Sequence, residues 1–324
     1  MKKIIKNKVL IIGSGSIANK HIENLIDLTN YVLLVLIKND LEKKRFDKKN
    51  ISKINFIKYK DLDVNYCRQI FFAIIANSTN NHHIVLKFLI KKKINIFCEK
   101  PISNKIHLIK GLRKKILKSK IIFFLNYQLR ENKLVNKLKK LLLSEKVLNV
   151  SLKVSHNLKY WRKNKIRKRS YYLDIKKGGG VIFELIHEIN LINYLFGKID
   201  KILTLKKNTF IQKAEDQAVS IFKTDKGVVG TLLQDMVSPI KQRYIEVCSK
   251  NKVFKLDFEE NNLTVKSRFN KKIFRNYEDR NLITLKKNLK KFILILRNNK
   301  FSIRPFDEAL YDLKVCIKMH KKIL

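Results

Sequence analysis

The chain has 324 residues, 45% of them hydrophobic, enough to bury two cores and too many for a disordered protein. Lys and Arg number 72 against 27 Asp and Glu, a formal charge of +45. Lysine is spread along the whole chain beside many Ile and Asn. No basic motif interleaved with aromatics accompanies it, so A/T-rich codon drift explains the excess better than a nucleic-acid-binding surface.

The first part of the chain alternates strand and helix. Residues 9–12 form a short apolar run, as a strand buried on both faces should. Residues 18–28 carry Ile22, Leu25 and Ile26 at helical spacing. Further apolar, β-rich runs follow at 31–37, 69–76 and 94–98, with a helix expected over 83–92 and a last strand at 121–125. This repetition implies right-handed crossovers and a parallel sheet.

The second half reads differently. Short runs with polar breaks at 147–155, 202–206, 217–223, 228–234, 243–248 and 253–258 predict a mostly antiparallel sheet. Asp225-Lys226-Gly227 reads as a hairpin turn, 180–196 as one helix, and the stretch after Pro305 as a closing helix. The very basic stretch 162–169 reads as a loop. The expected fold is α/β: an N-terminal Rossmann parallel sheet over 1–124, then an α+β domain over 125–324 with an open, mostly antiparallel sheet. One variant has the C-terminal helix packing back on the first domain.

Three stretches carry chemistry. Gly13-Ser14-Gly15-Ser16-Ile17-Ala18 lies between a strand and a helix. Gly13 permits a tight turn, Gly15 lets the backbone approach a pyrophosphate, and Ala18 allows close helix packing. The helix N-terminus adds unpaired N–H groups and partial positive charge. Glu99-Lys100-Pro101 follows a buried strand, putting a cation at the carboxyl edge where open α/β sheets bind ligands. Finally, Gly178-Gly179-Gly180 leads into Glu184, His187, Asn190 and Tyr194, which share a face if the segment is one helix. Imidazole titrates near neutrality and suits proton transfer. Taken alone, each stretch also has an ordinary reading: a turn, a strand end, a helix-surface histidine.

After the second strand comes Lys38-Asn39-Asp40. A basic side chain there accepts the 2′-phosphate of NADP and an acidic one the ribose 2′-OH of NAD. Lys38 tilts toward NADP, and Asp40 lies far along the loop. The cysteines Cys67, Cys98, Cys248 and Cys316 form no C-x-x-C pair, so neither a metal site nor a disulfide scaffold is expected. No apolar run reaches membrane-spanning length, and the run behind Met1-Lys2-Lys3 is too short for a signal peptide. A soluble cytoplasmic protein is expected, without membrane or specific nucleic-acid partners.

Together these stretches resemble the Gfo/Idh/MocA family of sugar and inositol oxidoreductases over nearly the whole chain. Ala76-Asn77-Ser78-Thr79-Asn80-Asn81-His82 and Asn126-Tyr127-Gln128-Leu129-Arg130 add to the match. Tyr160-Trp161-Arg162, Ser170-Tyr171 and residues 228–235 resemble a branch often found with surface-polysaccharide genes. The resemblance implies hydride transfer between a sugar or nucleotide sugar and NAD or NADP. It implies that Lys100 binds the reacting oxygen, His187 is the main acid/base, and Glu184 orients His187 or holds a neighbouring hydroxyl. Gly13, Ser14, Gly15, Ser16 and Ile17 would hold the pyrophosphate, and Ser78, His82 and Glu99 would lie near the ribose and nicotinamide. Tyr127, Arg130, Trp161, Arg162 and Asn190 would contact substrate. Self-association through an exposed sheet face would follow from the same analogy. Two departures stand out: Asn190 occupies a position where many relatives have Asp, and Asn77-Ser78 replaces a commoner Thr-Pro. Asn190 keeps open an alternative, a non-catalytic nucleotide-binding relative with a sensing or scaffolding role.

Overall fold

A computed structural model describes residues 7–161, 171–276 and 281–321. The chain divides into two units, Met1–Asn126 with Leu285–Tyr311, and Tyr127–Thr284 with Asp312–Leu324.

The first unit holds six parallel strands: β1 (Lys8–Ile12), β2 (Val32–Leu36), β3 (Ile54–Ile57), β4 (Ile70–Ile75), β5 (Asn95–Cys98) and β6 (Phe123–Leu125). Their order is β3-β2-β1-β4-β5-β6, so the winding reverses between β1 and β4. That reversal opens a crevice at the carboxyl ends, where ligands of such sheets bind. The strand β3 was not expected: it is only four residues long, and Asn55 interrupts its apolar pattern. Helix α1 (Ser16–Leu28) follows β1, and α2 (His82–Lys91) joins β4 to β5.

Val9, Leu10 and Ile11 of β1 are fully buried, as a central strand covered on both faces requires. The helix Asn281–Arg297, also unexpected, brings Leu289, Phe292, Ile293 and Leu296 into this core. Phe292 meets Phe72, Phe97 and Phe124 with ring centroids 5.2, 5.5 and 5.7 Å away. The pairs with Phe72 and Phe97 are edge-on, an arrangement that adds to the burial term.

The second unit holds eight strands: β7 (Val147–Ser155), β8 (Ile199–Lys207), β9 (Gln217–Thr224), β10 (Val229–Asp235), β11 (Gln242–Ser249), β12 (Val253–Asp257), β13 (Asn262–Lys266) and β14 (Lys271–Arg275). The order is β14-β13-β12-β11-β7-β10-β9-β8. All pairs are antiparallel except β7 with β10. The turn at Asp225-Lys226-Gly227 joins β9 to β10, with Gly227 at φ +81. One face buries Leu152, Leu232, Ile245 and Phe254. On the other, Leu203, Leu205, Val219, Ile221 and Val229 stay exposed across β8, β9 and β10.

The helix expected over 180–196 is two helices, α3 (Val181–Glu184) and α4 (Ile186–Phe196). Leu185 between them sits at φ −105, ψ 32, and its carbonyl accepts from Gln234 Nε2 at 2.8 Å. A buried side chain from β10 thus joins the Glu188 N–H in taking up the carbonyl at the break. Glu184 therefore does not continue the regular face that carries His187, Asn190 and Tyr194.

Candidate active site

In the first unit the chain leaves β1 at Gly13 with φ +134, a backbone conformation that favours glycine. A Cβ there would run into the backbone of Ala76 and Asn77 at the end of β4. Gly15 is different. It sits in extended conformation as the cap of α1, and nothing lies within 4 Å of where its Cβ would be. No side chain caps this helix, and its first turn holds no acidic residue. Ser14, Gly15, Ser16 and Ile17 thus border open space beside unpaired helix N–H groups, which fits a pyrophosphate.

Asp40 is held by Lys43 at 2.9 Å and Lys58 at 3.5 Å, and the hydrogen bond and charge of Lys43 hold its carboxyl below the ordinary value. Glu42 accepts from the backbone N–H of Lys38 at 3.0 Å. Arg45, which the sequence did not single out, donates to Ser14 Oγ at 3.1 Å and so lies beside the glycine turn.

Ser78 stands at the start of the turn leading to α2, where its Oγ accepts from Asn81 Nδ2 at 3.4 Å. His82 is 1% exposed; Nδ1 lies 2.9 Å from the Pro101 carbonyl and Nε2 3.0 Å from that of Asn77. Burial pushes its pKa down against these two carbonyls. The ring therefore ties the turn after β4 to the turn that carries Lys100. Glu99 is buried, and its Oε1 accepts from His21 Nε2 and Asn126 Nδ2, both at 2.7 Å. Asn126 Oδ1 in turn accepts from Asn288 Nδ2 at 2.8 Å. Burial opposes the Glu99 charge, but the His21 and Asn126 hydrogen bonds, with the charges of His21 and Lys100, hold the carboxyl below its ordinary value. This buried network anchors the residue before Lys100.

In the second unit Glu184, His187 and Asn190 are all buried. The glycine triplet serves the chain's own packing. A Cβ on Gly179 would strike the backbone of Tyr171 and Tyr172, and one on Gly180 the carboxylate of Glu215. Glu215 also accepts from the Ile182 N–H at 3.2 Å, so the turn into α3 is fixed from both sides.

The Tyr127 ring meets His187 edge-on at 6.1 Å. Arg130 lies over the rings of Tyr127 and Tyr194 at 5.4 and 4.8 Å, and its Nε donates to Asn190 Oδ1 at 2.8 Å. Tyr127, Arg130, His187, Asn190 and Tyr194 thus form one cluster. Trp161 ends a short helix, Leu158–Trp161, and its side chain lies outside the described residues, as does Arg162. The cluster also holds two residues that the sequence did not flag. Asp312 Oδ2 accepts from Asn190 Nδ2 at 2.7 Å, and Asp312 Oδ1 from Asn193 Nδ2 at 2.6 Å.

A glycine cradle at the switch point of a doubly wound parallel sheet, followed by a second unit built on an open sheet, defines a two-domain dinucleotide-binding oxidoreductase. Residues 7–127 match the GFO/IDH/MocA oxidoreductase family with its NAD-binding Rossmann fold, and residues 135–254 match the GFO/IDH/MocA C-terminal domain. The chain belongs to this family.

It is 23% identical over 235 residues to a myo-inositol 2-dehydrogenase of Thermotoga maritima, covering 69% of this chain and 67% of that protein. Its fold is shared with a UDP-N-acetylglucosamine 3-dehydrogenase from Acidithiobacillus ferrooxidans, at TM-score 0.79 and 13% identity over 97% of each chain. It is also shared with a levoglucosan dehydrogenase solved with NADH, at TM-score 0.81 and 11% identity over 96% of this chain and 95% of the other.

Proposed function

We propose that this chain moves a hydride between a nicotinamide nucleotide and a CH–OH carbon of a sugar or nucleotide sugar. The observation that carries the reading is the glycine pair: Gly13 is locked against β4 while Gly15 leaves open the space a pyrophosphate would fill. Bound nicotinamide would supply the hydride acceptor in one direction and the donor in the other. In the oxidising direction Lys100 holds the substrate oxygen and stabilises the charge that develops on it, and His187 takes the hydroxyl proton. Glu184 orients His187 or holds a neighbouring hydroxyl. Tyr127, Arg130, Trp161, Arg162 and Asn190 contact the sugar. Arg130 favours a substrate with a carboxylate or phosphate, since guanidinium matches both.

The resemblance at Tyr160-Trp161-Arg162 supports a role in surface-polysaccharide biosynthesis, and the scattered cysteines support a cytoplasmic setting. Among the described residues no helix is long and apolar enough to cross a membrane. The exposed apolar side chains on β8, β9 and β10 support self-association of two copies through that face. Light scattering on Ile221→Lys tests this, and an unchanged mass would count against it.

Fluorescence titration with NADH and NADPH, followed by a turnover screen of sugars and nucleotide sugars, tests the main reading. Tight nucleotide binding with turnover of one sugar class is expected. Absence of nucleotide binding would overturn it, and binding with no hydride exchange would favour the non-catalytic alternative that Asn190 raises.

A further inference from the structure

Asn190 leaves the site without a carboxylate at that position, yet the structure shows a buried one beside it. Asp312 is 1% exposed on the helix Arg304–His320. Its two oxygens accept from the amides of Asn190 and Asn193. Asn193 Oδ1 is itself fixed by the N–H of Ile199 at 2.9 Å. The acceptor role of Asp312 decides which way the Asn190 amide faces: its NH2 must point at the carboxylate, so its oxygen points at Arg130. The Arg130 guanidinium is thereby set between the rings of Tyr127 and Tyr194. Tyr127 feels the same carboxylate: burial first, then the Asp312 charge, pushes its phenol well above the ordinary range. Burial likewise raises the Asp312 carboxyl, opposed by the hydrogen bonds from Asn190 and Asn193.

We propose that Asp312 is a positioning residue, fixing Asn190 and through it the Arg130 guanidinium that holds the substrate. This rests on the reading of the Tyr127–Arg130–His187 cluster as substrate-binding. The negative charge sits one side chain behind Arg130, and the Asn190 amide links the two. Loss of that charge frees the amide to turn, which would face its NH2 toward another donor, Arg130 Nε.

The test uses the full chain with four versions: wild type, Asp312→Asn, Asn190→Asp and the double swap Asn190→Asp/Asp312→Asn. With the sugar found in the screen, Asp312→Asn should raise KM about tenfold while kcat and the NADH dissociation constant change less than about threefold, the pattern of lost uniform binding. Asn190→Asp places two carboxylates in contact, which cannot both ionise, and should be worse. The double swap returns one carboxylate next to Arg130 and one amide behind it, and should bring KM back to within about threefold of wild type. An unchanged KM in Asp312→Asn, or a double swap no better than the worse single variant, overturns the proposal. Crystal structures of wild type and Asp312→Asn decide the matter even if no sugar is turned over. Arg130 displaced from Asn190 Oδ1 in the variant supports the proposal; Arg130 unmoved overturns it. Failure of the screen with Arg130 displaced faults the functional reading alone.

Discussion

Two glycines two residues apart should respond to the same substitution in opposite ways. Gly13→Ala places a Cβ against the Ala76 and Asn77 backbone, which cannot swing aside as a side chain tip can. The backbone is also held at φ +134, where an L side chain is strained. Overpacking costs roughly 1–3 kcal/mol and an unfavourable backbone region roughly 1–3 kcal/mol, so a total of about 3 kcal/mol is reasonable. At about 2–4 °C per kcal/mol for a unit of this size, the melting temperature should fall on the order of 6–12 °C. Gly15→Ala meets nothing within 4 Å and has an ordinary φ of −90. Its loss of stability is confined to a poorer helix cap, about 0.5–1 kcal/mol. Its methyl, however, fills the space left for the pyrophosphate. A clash of about 1–3 kcal/mol corresponds to a rise in NADH dissociation constant of roughly 5- to 150-fold. Calorimetry for stability and fluorescence titration for NADH separate the two effects. A Gly15→Ala variant that binds NADH as wild type does would remove Gly15 from the cofactor site. A Gly13→Ala variant that melts normally would refute the packing argument.

Lys100→Ala should cut turnover by on the order of a hundredfold or more while NADH affinity stays within about twofold; equal losses in both would remove Lys100 from the chemistry. Phe292→Ala deletes a fully buried ring at the centre of an aromatic cluster and should cost about 3–5 kcal/mol, read by urea unfolding, with a loss below about 1 kcal/mol contradicting its core role. Glu99 has its folded pKa lowered, so its stabilising contribution is present above the unfolded value of about 4.3 and fades as pH falls through the folded value. The stability difference between wild type and Glu99→Gln should therefore shrink below about pH 4.5, and a gap that widens on acidification would contradict the network.

The parts of the fold legible in the sequence were those specified locally. A buried parallel strand needs a continuous apolar run, and β1, β2 and β4 have one. The glycine turn was legible because Gly13 and Gly15 stand between such a run and a helical pattern. The strands β3, β13 and β14 escaped notice because they are short and lie at or near sheet edges, where polar residues are tolerated. The helix Asn281–Arg297 did carry apolar residues at helical spacing, but lysines crowd it as they crowd the whole chain. The break at Leu185 is stabilised by Gln234, 49 positions away, and no local pattern announces it. Asp312 lies 122 positions from Asn190, outside every motif, so only the fold brings it to the site.

That remote pairing has a consequence for the lineage as well as for the molecule. If one negative charge is what the arginine pocket requires, evolution can lodge it at either of two addresses but gains nothing from filling both. Relatives with an acid at the position of Asn190 should then carry a neutral residue at the position of Asp312. Across relatives the two positions should trade their charge in a single coupled exchange.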